Sequence, residues 1–268
     1  MSNFLPLYKF REVTDRSLDS ISNNTLWFSY VDDFNDPFEL FYNLSSGVDV
    51  HNFSTSLEYF IKFAYPQNEI FNALAFSHME KMSTAEKERM LKSLVKALMP
   101  VHNDALQRLK SGIKIFSLSK TNRHPLLWGH YADGLKGMCI EYDFNKQTLP
   151  LNIGYCSVAY TDKPFLLNLQ EMLKCKKQIH DYSEQIYATK NVVWNYEEEL
   201  RLISDDKVMK GNSYQLSDTV IRSICIGEKM PIEDQLKIKE VIKGRGIKLF
   251  KAIAIPSEFK IDIVEYEI

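Results

Sequence analysis

Polar and apolar residues alternate over PLYKFRE (6–12), with Tyr8 and Phe10 on one side and Lys9 and Arg11 on the other. That two-residue rhythm predicts a first strand. TLWFSY (25–30) is aromatic and β-prone and predicts a second. Between them, DRSLDSISNN carries Leu18 and Ile21 at helical spacing and ends on Asn23-Asn24. The rhythm changes over 54–111, where three runs show apolar residues at helical spacing, and Ser83 with Glu86 forms a capping-box pattern ahead of the third. Strands are expected again at 113–120, 137–144 and 154–161, and a long polar helix over 166–189. A charged strand, EEELRLIS, then precedes VIRSICIG (220–227), a helix IEDQLKIKEVIKGRG, and two last strands, KLFKAIAI and FKIDIVEYEI.

This succession predicts an α+β fold: a strand-rich body with a mixed or antiparallel sheet, interrupted by helices. No repeat and no linker rich in Gly, Pro or Ser divides the chain, so residues 1–268 are expected to form a single domain with 54–111 as a helical insertion. The plainest role of the insertion is packing; a lid or partner surface is the functional alternative. The 268 residues are 45% hydrophobic and 12% aromatic, enough for a sizeable core. A formal net charge of −2 gives no general attraction to nucleic acid or to an acidic membrane. Four scattered cysteines and six histidines show neither disulfide nor metal-ligand spacing, so reduced thiols and no metal are expected, with Cys139 and Cys225 in the core. MSNFLPLYKF does not read as a signal peptide, and no apolar run approaches the ~20 residues of a membrane span. A cytoplasmic protein without a membrane partner is the expectation.

The stretch NVVWNYEEELRLIS (191–204) raises the sharpest chemical question. Read as a strand, it places Glu197, Glu199 and Arg201 on one face and Tyr196, Glu198, Leu200 and Leu202 on the other. The charged face is either a solvated edge that discourages aggregation or one wall of a polar cleft. Trp194 and Tyr196 beside it favour a cleft, since aromatic walls with a few polar groups make ligand sites. YVDDFNDPFEL (30–40) predicts a rigid corner at Asn35-Asp36-Pro37, anchored by Phe34 and Phe38. Asn35 or Asp36 there could also hold a ribose hydroxyl or an amide. LLWGHYADGLKGMCIEY (126–142) clusters Trp128, His130 and Tyr131, and His130 is a ready acid or base near neutral pH. Lys9 or Arg11 could clamp a phosphate. The phosphate-loop, dinucleotide-fold, serine-hydrolase and zincin motifs do not occur.

Leu-Tyr-Lys-Phe-Arg, Leu-Trp-Phe-Ser with Phe-Asn-Asp-Pro-Phe-Glu, Trp-Gly-His-Tyr-Ala-Asp with Lys-Gly-Met-Cys-Ile, and Trp-Asn-Tyr-Glu-Glu-Glu-Leu-Arg follow one another in that order. Over about residues 7–204 this resembles a widespread bacterial family catalogued as a domain of unknown function. The layout is also similar to the ADP-ribosyltransferase superfamily, whose members split NAD between nicotinamide and ribose. That resemblance implies a split-sheet body, with Arg11 clamping the pyrophosphate from the first strand and Ser29 shaping the nicotinamide pocket from the second. Glu199 would be the catalytic carboxylate, with Glu197 as the other half of a Glu-x-Glu pair. The chain departs from the pattern: no Ser-Thr-Ser run follows the second strand, and no Gly follows YKFR.

The expectation is therefore an enzyme that binds NAD as substrate and transfers ADP-ribose to a protein or nucleic acid, or hydrolyses NAD, in a bacterial toxin or phage-defence setting. Glu199 and Glu197 would carry the chemistry. Arg11, Ser29, Asn35, Asp36, Trp128, His130, Tyr131, Trp194 and Arg201 would bind the substrate. The alternatives are a non-catalytic module that recognises a peptide or a nucleic-acid base, and a hydrolase or nuclease using Asp36, Glu197 and Glu199 around Mg²⁺.

Overall fold

The computed structural model describes residues 6–45, 74, 77–78, 81–145, 148, 152–168, 171, 175 and 179–267. Its elements begin with β1 (Leu7–Arg11), α1 (Asp15–Ser22), β2 (Thr25–Trp27), β3 (Ser29–Tyr30) and β4 (Tyr42–Ser45). There follow α2 (Thr84–Lys110), β5 (Ile113–Ser119), α3 (Pro125–Tyr131) and β6 (Met138–Tyr142). Next come β7 (Gly154–Ser157), β8 (Ala159–Thr161), β9 (Phe165–Asn168), α4 (Ser183–Ala188), β10 (Thr189–Asn191) and β11 (Glu199–Asp205). The chain ends with β12 (Ser213–Gln215), β13 (Ile221–Gly227), α5 (Ile232–Ile242), β14 (Lys248–Ile255) and β15 (Lys260–Glu265). The α+β class is thus present.

The residues group into two compact units. The first comprises Met1–Pro37, Gly112–Tyr160 and Lys190–Ile268, and the second Phe38–Ser111 and Thr161–Thr189. In the second, α2 starts on the expected capping box: Ser83 Oγ accepts from the Glu86 N–H, and the Glu86 carboxylate accepts from the Ser83 N–H at 2.8 Å. The expected helices over 54–73 lie outside the described residues. Residues 165–168, partly expected as the start of a helix, are strand β9. They pair in parallel with β4, which sets Leu167 opposite Leu44 and buries it. The helical signal there was only an apolar doublet, and ladder pairing with a distant segment overrides it.

The first unit is built on a sheet in the order β15-β14-β13-β6-β1-β5-β11-β7, with β3 also paired to β5, nine strands among the described residues. Only β13 and β14 run parallel, joined through α5; the other pairs in this sheet are antiparallel. Side-chain alternation sorts the core into two clusters. Leu7, Phe116, Leu118, Ile140, Tyr142, Leu200, Leu202 and Ile224 form one, with Ile21 of α1 and Ile238 of α5. Phe10, Cys139 and Cys225 stand in register across β1, β6 and β13 and form the other with Leu127 and Trp128 of α3. Both expected core cysteines are therefore buried.

One seam is incomplete. β1 pairs with β6 along its whole length, from Leu7↔Tyr142 to Arg11↔Met138, but meets β5 in register only at Tyr8↔Ser119. Further along β5 the partner on that side is β3, through Ser29↔Ile115 and Tyr30↔Lys114. The sheet is open between β1 and β3 beside Ser117 and Leu118, and Lys9 bridges part of the opening by donating from Nζ to the Ser117 carbonyl at 2.9 Å.

Above the opening, α3 begins with Pro125, whose missing N–H costs nothing at a helix start, and His124 Nδ1 accepts from the Leu126 N–H. Gly129 lies inside this short helix, and a Cβ there would touch nothing within 4 Å. Gly129→Ala is expected to raise stability by about 0.5–1 kcal/mol, read as a higher urea midpoint at unchanged slope.

Candidate active site

A cavity of about 420 Å³ occupies the opening, and every residue lining it belongs to the first unit. Lys9 reaches it from β1, Ser29 from β3, Asn35 from the following loop, Ser117 and Ser119 from β5, and His130 and Tyr131 from α3. Lys190 of β10, Glu197 and Glu199 complete the wall.

The segment before β11 differs from the expected strand. Val192–Glu197 form a 3-10 helix, because the Asn191 side chain accepts from the Val193 N–H at 3.0 Å and caps it. Glu198 then turns the chain in a left-handed conformation (φ 44°), and β11 starts only at Glu199. A local side-chain cap has beaten the β propensity of two adjacent valines. β11 is also no edge: β5 and β7 flank it. Glu199 and Arg201 are 3% and 0% exposed, so the solvated-edge reading fails for them.

Glu197 still meets Glu199, through the turn rather than through alternation. Lys190 Nζ donates to Glu197 Oε2 at 2.7 Å and to Glu199 Oε2 at 3.3 Å. Arg201 grips both oxygens of Glu199, from Nε to Oε1 and from Nη2 to Oε2, each at 3.0 Å. Burial alone would raise the Glu199 pKa; the charges of Arg201 and Lys190 outweigh it and hold the carboxyl at about 2. The second Glu197 oxygen accepts from the Tyr131 hydroxyl at 2.6 Å, and Asn35 Nδ2 donates to that hydroxyl at 3.3 Å. Burial, followed by the bond to Glu197, pushes the Tyr131 pKa up, so it remains a donor. Lys9 is the odd group. Among the described residues no carboxylate forms an ion pair with it, because Lys190 and Arg201 hold Glu197 and Glu199. Enclosure by protein, with Arg11 adding and Glu199 and Glu197 opposing, brings its pKa down to about 7.

Of the expected site residues, Glu197, Glu199, Ser29, Asn35, His130 and Tyr131 come together at the cavity. Arg11, Asp36, Trp128, Trp194 and Arg201 do not line it. Arg11 lies farther along β1, its guanidinium 5.9 Å from the centre of the Phe116 ring. Trp128 is wholly buried: its indole N–H donates to the Asn122 carbonyl at 2.8 Å and its ring meets Phe10 edge-on. α3 turns Trp128 to the core and Tyr131, three residues on, to the cavity. Asp36 is buried at the corner before Pro37, while Phe38, expected as an anchor, is 66% exposed. Trp194 packs under Lys190, whose Nζ lies 5.0 Å from the ring centre, and Arg201 sits behind Glu199. Among the described residues no group of three His, Cys, Asp or Glu side chains is placed to hold a metal ion, which leaves the Mg²⁺ alternative without a ligand set. No helix among them is long and apolar enough to cross a membrane.

Lys190 was not singled out in the sequence. Its signal is weak, a lysine seven and nine residues before two glutamates, and only the 3-10 turn brings the three together. No curated protein and no solved structure matches the chain. A family model described as a protein of unknown function (DUF2971) matches residues 127–202, the stretch that contains Tyr131, Lys190, Glu197, Glu199 and Arg201.

Proposed function

We propose that this chain binds NAD and breaks the bond between nicotinamide and ribose, passing ADP-ribose to water or to a macromolecular acceptor, as ADP-ribosyltransferases do. The observation that carries the reading is convergence. A basic residue of β1, a serine of β3 and the glutamate pair at the start of β11 line one cavity. The serine and the glutamate pair are those the resemblance implies; on β1 the residue at the cavity is Lys9, and Arg11, the expected pyrophosphate clamp, does not line it. The volume suits the nicotinamide–ribose half of the molecule, with the remainder extending from the mouth. The setting proposed is bacterial, as a toxin or phage-defence effector acting on a protein or nucleic acid.

In this chemistry the C1′–N bond breaks, its electron pair leaves with nicotinamide, and positive charge develops on the ribose. A carboxylate fixed beside that charge stabilises it without reorganising. Glu199 supplies a charge that Arg201 holds in place. Among the described residues Glu197 is bound by the single donors Lys190 and Tyr131, so it is the carboxylate able to exchange a partner for a ribose hydroxyl. The test is release of free nicotinamide from NAD, with and without cell lysate as acceptor. Glu197→Gln is expected to slow release by about 10²–10³-fold. Release by the unaltered protein that never exceeds that of Glu199→Gln would end the proposal.

A further inference from the structure

Lys9 carries an inference that does not depend on NAD. The other basic groups of the cluster, Lys190 and Arg201, are ion-paired, whereas among the described residues the Lys9 amine has only a backbone carbonyl as hydrogen-bond partner. Lys9 is half-buried; an amine partly withdrawn from water and without an ion-pair partner favours its neutral form, and a neutral amine that lines a cavity is a nucleophile. The wall is mixed: Phe10, Phe34, Leu118 and Leu127 lie beside Ser29, Asn35, Ser119, Tyr131 and Glu197, whose donors and acceptors suit the hydroxyls of a small ligand. We propose that Lys9 is a carbonyl-reactive amine and that the cavity takes a small aldose, whose open-chain aldehyde forms an imine with Lys9 Nζ.

The step balances without a further reactant. The Nζ lone pair adds to the aldehyde carbon, the C=O π pair moves to oxygen, and a proton passes from nitrogen to that oxygen. Loss of the hydroxyl as water, with a second proton from nitrogen, leaves C=N. Tyr131 stays protonated and stands in the same cavity; on releasing Glu197 its hydroxyl can donate to the departing oxygen. The charged groups acting on Lys9 are Arg11 of β1, Glu199 of β11, Glu197 of the 3-10 turn and Lys190 of β10. The two cations oppose protonation and the two carboxylates favour it.

D-glyceraldehyde with cyanoborohydride traps an imine as a stable secondary amine, and peptide mass spectrometry locates it. At pH 7.5 Lys9 is expected to be labelled about tenfold faster than exposed lysines such as Lys163 and Lys229. The Lys9 rate should rise with pH and level off above about 7. Propanal should show a smaller preference for Lys9 than glyceraldehyde does. Labelling of Lys9 no faster than of the surface lysines overturns the reactive amine, and equal preference with propanal overturns the aldose. The site is mapped in the unaltered protein, so the answer does not depend on whether Lys9→Met folds.

Discussion

Replacing Arg201 with methionine should cost about 3–5 kcal/mol of stability, the usual penalty for leaving one member of a buried ion pair behind. Arg201 is fully buried and supplies two of the hydrogen bonds that satisfy Glu199; without it the carboxylate keeps the longer contact to Lys190 and the hydrogen bond from the Ser117 side chain, with one buried cation fewer beside it. Urea unfolding at pH 7 reads the loss. The double variant Glu199→Gln with Arg201→Met should recover much of it, since no unpaired charge is then buried. A double variant as unstable as Arg201→Met would show that the guanidinium acts through packing instead. Acid provides a second signature. In the unfolded chain Glu199 takes up a proton near its ordinary value of 4.5, in the folded protein only near 2. The stabilisation is therefore complete above the ordinary value and disappears as pH falls through this window. Arg201→Met raises the folded value and should flatten the stability profile between about pH 4.5 and 2.

The strands that could be read from the sequence are those whose burial is written in alternation. β14 occupies KLFKAIAI as expected, and β5 and β13 fall within a residue of their expected limits. α1 appears where Leu18 and Ile21 predicted it, with Thr14 as an additional cap. The short strands β4, β9, β10 and β12 were illegible, because three or four residues carry no period and exist only through a partner far away in the chain. TLWFSY breaks into β2 and β3 for the same reason: Phe28 lies between a ladder to β12 and a ladder to β5.

At the site, residue type was legible and geometry was not. The charge density of Glu197, Glu199 and Arg201 marked the right segment, yet the alternation argument gave one strand face where the protein uses a turn, a left-handed residue and a strand. Arg11 and Lys9 share a side of β1, so the pattern could not choose between them. The choice depends on where β1 parts from β5, and a single register contact at Tyr8 and Ser119 decides it. Trp128 and Tyr131 shared one helical motif, but only the packed helix shows which of them faces Phe10 and which faces Glu197.

That helix is held by an approach only glycine permits, so Gly227→Ala should cost about 3 kcal/mol or more, at the upper end for forcing extra volume into packed backbone. Gly227 closes β13 and donates its N–H to the Gly137 carbonyl at 2.9 Å, while Lys229 donates to the Leu135 carbonyl at 3.0 Å. Together these bonds clamp the turn after α3, where Asp133, Gly134 and Leu135 all have positive φ (45°, 61° and 74°). A Cβ on Gly227 would run into the Leu135 carbonyl, which is backbone and cannot rotate aside. The turn must move, and Tyr131 lies only four residues before Leu135. Glu197 would then lose the Tyr131 hydroxyl that occupies its second oxygen. Gly227→Ala is thus expected both to lower the urea midpoint and to loosen the cavity wall, the second effect read from solvent exchange of the Tyr131 hydroxyl proton. Gly129→Ala, two residues before Tyr131 on the open side of the helix, should do neither. Equal losses from the two alanines would place the sensitivity in α3 itself and remove the clamp from the account.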